Sequence, residues 1–321
     1  MVDDRALVAA RQKVVRLITT RRAFLRSGLA LGAGSLAARI VPARAAGGEA
    51  VLSAVEGRDP EKIVRRAFDL LGGLGRFVNP GDRVVVKPNA SFANPADWGN
   101  NTNPAVLRAV CGLAREAGAR KVAVVDYPLM RGAEAPALNG IGKVCAELDG
   151  VELEVLARRE EFRKLAVPGA AVLHEVEIAR AVLDADVLIN LPVAKAHDAV
   201  AASIGLKNLM GVIWDRTAFH TMMEINQAIA DLALAIRPRL TLVDMTRVMT
   251  TNGPKGPGEV ATPGLVVAAV DPVAADSYAL GRVRFNHRLF RPNQLKYLRY
   301  AHAAGLGAID PGSIAIREER I

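Results

Sequence analysis

Pro192-Val193-Ala194-Lys195-Ala196-His197, followed by Gly205-Leu206-Lys207-Asn208-Leu209-Met210-Gly211 and then His220, holds the densest run of chemistry-capable residues in the chain. Lysine is a compact cation suited to phosphate or carboxylate. Lys195, Lys207 and Lys87 are three such charges for one small anionic substrate or cofactor. Asn89, Asn208 and Lys255 complete the candidate binding set. His197 and His220 are the candidates to move a proton, His197 being equally suited to ligate a metal. Asp126 and Asp244 would orient that proton carrier or bind a metal. A zinc or iron site would draw on His197, His220, Glu224 and Asp244, which offer the right donor types. His220 and Glu224 are four apart and would share a face on one helix. No tight H-x-x-x-H spacing supports that site, and no metal is assigned. His174, His287 and His302 read as structural. The residues do not name a cofactor.

These side chains follow apolar runs, and the runs alternate with helical patterns. Val84-Val85-Val86 leads into Lys87-Pro88-Asn89, where proline stops regular structure. Asn103 as N-cap and Pro104 at the first helical position open a helix. Its apolar stripe is Val106, Leu107, Val110, Leu113, Ala114 and Ala117, closed by Gly118. Val122–Val125 is the next strand and ends at Asp126. Further alternations place helices near 138–148, 178–183 and 222–236, and strands near 151–156, 187–191, 240–243 and 265–270. Continuous apolar strands mean burial on both faces, as in parallel sheets. The expectation is an α/β fold: a doubly wound, mostly parallel sheet of five or six strands flanked by helices, Rossmann-like without the dinucleotide fingerprint. Two α/β lobes with a cleft are the alternative. Ligands in such sheets bind beyond the carboxyl ends of the strands. Those ends carry Lys87 and Asn89, Asp126, Asn190 with Lys195 and His197, Asp244, and Asp271. The Gly/Pro-rich segment 250–264 around Lys255 must be a loop, either a lid or a mobile surface loop. On this layout, removing Lys195 should weaken ligand binding and leave folding intact.

The first 45 residues read differently. Thr20-Arg21-Arg22-Ala23-Phe24-Leu25-Arg26 resembles the twin-arginine export consensus; an apolar stretch, Ser27 to Ala38, and an Ala43-Arg44-Ala45 cleavage pattern follow. The expected layout is a signal peptide over 1–45 and one α/β domain over 46–321. The twin-arginine translocase would be the export partner, and the working location periplasmic or otherwise extracytoplasmic. That route carries proteins already folded, which favours a domain that folds fast or takes up a cofactor first. The apolar run is shorter than the roughly 20 residues of a spanning helix, so no membrane span is expected in the mature form. Gly32-Ala33-Gly34-Ser35-Leu36-Ala37 imitates a dinucleotide fingerprint but lacks the preceding strand. Residues 1–45 hold nine Lys or Arg against Asp3 and Asp4, so +7 of the net +9 lies there and +2 beyond. With aromatics at 4%, that balance argues against nucleic acid as a partner. Two cysteines, Cys111 and Cys145, cannot hold a Cys-ligated iron–sulfur cluster. They read as buried thiols, with one disulfide as the alternative. No G-K-[ST] loop and no G-x-S-x-G elbow occurs, which disfavours P-loop and serine-hydrolase chemistry.

Taken in order, Val86-Lys87-Pro88-Asn89, Gly118-Ala119 with Val122–Asp126, Asp186–Pro192 with Lys195-x-His197, and Leu206-Lys207-Asn208-Leu209-x-Gly211 followed by His220 resemble the domain of unknown function 362 family over roughly residues 82–307. The resemblance implies an α/β domain and says little about reaction. Some members carry an appended ferredoxin-like iron–sulfur segment, for which this chain lacks the cysteines. Ala196 stands where a threonine is often expected, which bears on one ligand contact. A small-anion-binding, enzyme-like domain is the leading expectation. A non-catalytic binding or assembly partner of an exported redox complex is the rival.

Overall fold

A computed structural model describes residues 51–321 except Met130, Arg131 and Ala133. The expected export signal lies outside the described residues.

One eight-stranded sheet organises the chain. Its strands are β1 (Val51–Glu56), β2 (Arg83–Pro88), β3 (Lys121–Asp126), β4 (Val151–Val155), β5 (Val187–Leu191), β6 (Leu240–Met245), β7 (Leu265–Ala269) and β8 (Ala315–Arg320). Their order is β8-β1-β7-β6-β5-β2-β3-β4. All neighbours pair parallel except β7, which runs antiparallel to both β1 and β6. The mostly parallel α/β expectation therefore holds, with more strands than expected. Successive side chains go to opposite faces: Val84 and Val86 enter one apolar cluster and Val85 the other. Helices α1 (Pro60–Leu70), α2 (Pro104–Glu116) and α3 (Ile141–Glu147) cover the first face. Helices α4 (Gly205–Asn208), α5 (Ile225–Ala235), α6 (Pro272–Leu280) and α7 (Lys296–Ala303) cover the second.

Helix α2 forms as its caps dictate. The Asn103 side chain accepts from the Ala105 N–H, Pro104 needs no partner for its nitrogen, and Gly118 follows at φ +92°. Val106, Leu107, Val110, Leu113 and Ala114 are buried in one stripe. Each fully buried Val or Leu contributes roughly 1.5–3 kcal/mol, enough to fix the helix on the sheet. Cys111 of α2 and Cys145 of α3 are free, buried thiols, and burial pushes both thiol pKa values up, that of Cys145 to about 11.

Three expected elements change. Residues 178–183 are the end of a hairpin strand, Glu175–Ala179, followed by a single helical turn. The helix expected from Met222 starts at Ile225, because the Glu224 carboxylate caps it by accepting from the Gln227 N–H at 2.7 Å. The apolar run at 265 is a strand, but it runs the other way. Asp271 therefore sits at the opposite edge of the sheet, where it caps α6 and accepts from the Ala274 and Ala308 N–H groups.

Candidate functional site

The order of the strands reverses between β2 and β5: β3 and β4 continue from β2 on one side, β6 from β5 on the other. Parallel sheets leave a crevice at such a switch, and Lys87 in β2 lies in register with Asn190 in β5 at this point. Lys87 is fully buried, with its ammonium 2.9 Å from the Asp126 carboxylate at the end of β3. Asp126 also accepts from the Ala90 N–H at 2.6 Å and the Tyr127 N–H at 2.9 Å. Gly211 packs directly on this pair. A Cβ there would lie 2.5 Å from Asp126 Oδ1 and 2.7 Å from Lys87 Nζ. Gly211→Ala is accordingly expected to lower stability by about 1–3 kcal/mol through overpacking. Urea denaturation of the variant measures this, and an unchanged midpoint would contradict the packing.

A row of amides carries the polar network outward. Asn208 Oδ1 accepts from Asn89 Nδ2 at 2.9 Å, and Asn208 Nδ2 donates to Asn190 Oδ1 at 2.9 Å. Lys195 donates to Asn89 Oδ1 and to the Asn100 carbonyl, both at 2.6 Å. It also lies 4.8 Å from the centre of the Phe92 ring. The lysine is 2% exposed. Burial lowers its pKa well below the usual lysine value, and its removal would leave the Asn89 and Asn100 acceptors unmet.

Lys195 and His197 belong to a short hairpin, Lys195–His197 paired with Ala201–Ser203. Alternation along the strand puts both on one side and turns Ala196 into the apolar core. Ala196 is absent from the residues lining the cavity, so the departure from the family pattern there does not touch the cavity wall. Lys207 and Asn208 end α4, whose first N–H groups, Gly205 and Leu206, donate to the buried Asp276 carboxylate at 2.8 and 3.0 Å. Burial pushes the Asp276 pKa up to about 7.

These elements enclose a cavity of about 160 Å³ whose polar lining is Asn89, Lys195, His197, Lys207, Arg216 and His220, among other residues. Phe92, Leu129, Met210 and Pro254 supply apolar wall, and no Asp or Glu of the described residues lines it. Lys207 is 8% exposed, and among the described residues its ammonium finds only the Met210 sulfur, at 3.2 Å. Burial lowers its pKa to about 8, with Asp198 opposing and Arg216 adding to the drop. His197 is held neutral: burial, then the Lys207 charge, bring its pKa to about 3. Asp198 lies 2.9 Å from His197 Nδ1, but that carboxylate is 79% exposed and screened by water, so it does not reverse the effect. The Ala199 N–H also approaches Nδ1 at 3.1 Å, which leaves Nε2 as the ring nitrogen without a protein partner among the described residues. Burial and Lys207 likewise lower the His220 pKa.

Arg216 gave no signal in the sequence. It donates to the Tyr127 and Pro128 carbonyls at 2.6 and 3.4 Å and lies 4.1 Å from the centre of the Tyr127 ring, which stacks on Trp214. Ser91, Phe92, Asn100 and Ser203 were missed as well.

Lys87 and Asp126 lie behind the lining and do not face the cavity, and Asp244, Lys255 and Glu224 stand elsewhere. Asp244 is buried, answering the Asn103 N–H at 2.7 Å and the Thr246 N–H and hydroxyl at 2.9 and 2.7 Å. It ties β6 to α2 and does not line the cavity. The Lys255 side chain is exposed. Its loop reaches the site through Pro254, which lines the cavity, and through the Pro254 and Lys255 carbonyls, which accept from Asn100 Nδ2, both at 3.2 Å. Glu224 is occupied as a helix cap and His220 lies on the separate turn Thr217–Thr221, so the four proposed metal donors do not converge; no cluster of three or more His, Cys, Asp or Glu suited to a metal occurs among the described residues.

A family model described as domain of unknown function (DUF362) matches residues 84–281. A thylakoid-associated protein of Synechocystis sp. is 32% identical over 222 residues, 66% of this chain and 66% of that protein. Among solved structures, the lactate racemase apoprotein from Thermoanaerobacterium thermosaccharolyticum aligns at a TM-score of 0.43 and 16% identity, over 61% of this chain and 50% of that one. A protein from Thermotoga maritima aligns at 0.42 and 13% identity, over 78% and 60%. The chain thus spans only part of the length of each.

Proposed function

The chain belongs to the domain of unknown function (DUF362) family, and we propose that its cavity holds a small anionic substrate or cofactor. The observation that carries this is Lys207: among the described residues, a buried ammonium without a carboxylate partner, facing a cavity without an acidic wall. A buried charge left unpaired is costly, and a ligand of opposite charge supplies the missing partner. Lys195 and Arg216 would share the anion, and the Asn89–Asn208 amides would set its orientation. Lys87 and Asp126 act from beneath, holding those amides in place.

His197 is the proton carrier in this reading. Without a ligand, burial and two lysine charges keep it from protonating. An anion seated among them removes part of that penalty and raises the basicity of the imidazole ring, so proton uptake is coupled to occupancy. His220 is the second candidate. The rival, a non-catalytic assembly partner of an exported redox complex, gains no support from a cavity lined by two lysines and an arginine. Export in folded form by the twin-arginine route, and an extracytoplasmic location, rest on the residue pattern of 1–45.

The test is calorimetric titration with inorganic phosphate, acetate and succinate across a pH series. Acetate, a carboxylate fully ionised above about pH 6, isolates the protein's own titration about the Lys207 pKa of about 8. Above it, affinity should fall by up to about tenfold per pH unit as that charge is lost. A series in which no anion binds at any pH would remove the reading.

A further inference from the structure

Between Asp276 and Asp310 the chain contains no Asp or Glu, yet it carries Arg282, Arg284, Arg288, Arg291, Lys296 and Arg299. All six are exposed, and none meets a carboxylate among the described residues. Elsewhere the surface interleaves its charges, as in Arg65–Glu116, Arg159–Glu177 and Lys121–Glu152. The basic stretch is therefore a local excess of +6 on a domain whose other residues from 46 to 321 sum to −4.

Its shape is defined. Phe285 and Arg288 exchange backbone hydrogen bonds at 2.9 and 3.0 Å, with Asn286 and His287 at positive φ between them. Phe285 is fully buried and roots the turn. The Asn286 N–H donates to the Thr250 carbonyl at 2.7 Å, fastening it beside the loop that borders the cavity. Leu289 follows the turn with 51% of its surface exposed, flanked by Arg288 and Arg291. The Arg288 guanidinium lies 4.8 Å from the Phe290 ring centre. Helix α7 buries Tyr297, Leu298 and Ala301, and leaves Lys296 and Arg299 on its solvent side.

We infer that this segment docks on an anionic lipid surface. Unpaired cations attract the headgroups, and an exposed aliphatic residue among them enters the interfacial region. A nucleic-acid backbone would use the charges but has no use for the leucine. The inference does not depend on what the cavity binds.

The experiment uses the full chain with phosphatidylcholine vesicles, with and without phosphatidylglycerol. The basic residues 1–45 are common to every protein compared, so the variants isolate the turn. Each basic residue near such a surface contributes roughly 1 kcal/mol, about fivefold in partition. The R284E/R288E variant should therefore lose about 25-fold or more on the anionic vesicles. The L289W variant, read as a difference from the wild type, should show a blue-shifted emission only when phosphatidylglycerol is present. Equal partition of R284E/R288E and wild type, or an L289W difference emission indifferent to the vesicles, overturns the inference. Binding of duplex DNA without vesicle binding would also overturn it and assign the patch to nucleic acid.

Discussion

Asp126→Ala is expected to cost about 3–5 kcal/mol of folding stability near neutral pH, and to recover part of that cost in alkaline solution. The variant strands the Lys87 ammonium with the Pro88 carbonyl and Asn208 Oδ1 as its acceptors among the described residues. Burial already lowers the pKa of this lysine, with Asp126 opposing the drop. Without the carboxylate, the folded state escapes by releasing the proton. At about 1.4 kcal/mol for each pH unit below the usual lysine value of about 10.4, that escape costs at most roughly 5 kcal/mol near pH 7. The sign follows from proton counting. A lysine whose folded pKa lies below its unfolded one leaves the unfolded chain holding more protons in the window between them, so stability rises with pH there. The deficit of Asp126→Ala against wild type should shrink by up to about 1.4 kcal/mol per pH unit between neutrality and about pH 10. Lys87→Met should cost less, because the carboxylate keeps the Ala90 and Tyr127 N–H donors. Urea denaturation at two pH values decides. A deficit that ignores pH would trace the loss to those two orphaned N–H groups and not to the charge.

The same pair shows what can be read from a sequence. Lys87, Asp126, Asn190 and the Lys195–His197 segment each end or follow an apolar run, and parallel pairing brings such ends to one edge. The direction of a strand is another matter. An apolar run such as 265–269 looks the same read either way, and its antiparallel placement between β1 and β6 sends Asp271 to the far edge. Asp244 had the right edge but was claimed by the N–H groups of Asn103 and Thr246, a demand set by tertiary contact. Arg216 was illegible because its place comes from the Tyr127 ring and two carbonyls some 88–89 residues earlier. Asn100 was passed over because polar residues in Gly/Pro-rich stretches are usually solvated; here it is fully buried and its carbonyl holds Lys195.

Lys207→Met separates a lysine kept for binding from one kept for structure, because the two roles predict opposite signs. The folded protein holds this ammonium with its pKa lowered to about 8, mainly by burial. Set against an unperturbed lysine near 10.4, that corresponds to roughly 3 kcal/mol of cost to the ligand-free domain at neutral pH. Methionine fills similar space beside Met210 with no charge to desolvate. The ligand-free variant should therefore be more stable than wild type by about 2–3 kcal/mol. Its affinity for the anion that binds wild type best should fall by about a hundredfold or more, the usual consequence of deleting one partner of a buried charge contact. The fall of affinity through about pH 8 should vanish with it, since the titrating group is gone. Thermal denaturation without ligand and calorimetry with it supply both numbers. A lysine serving the fold would give a less stable variant and an unchanged anion affinity. Stability gained together with binding lost is what a charge held in readiness for a ligand requires.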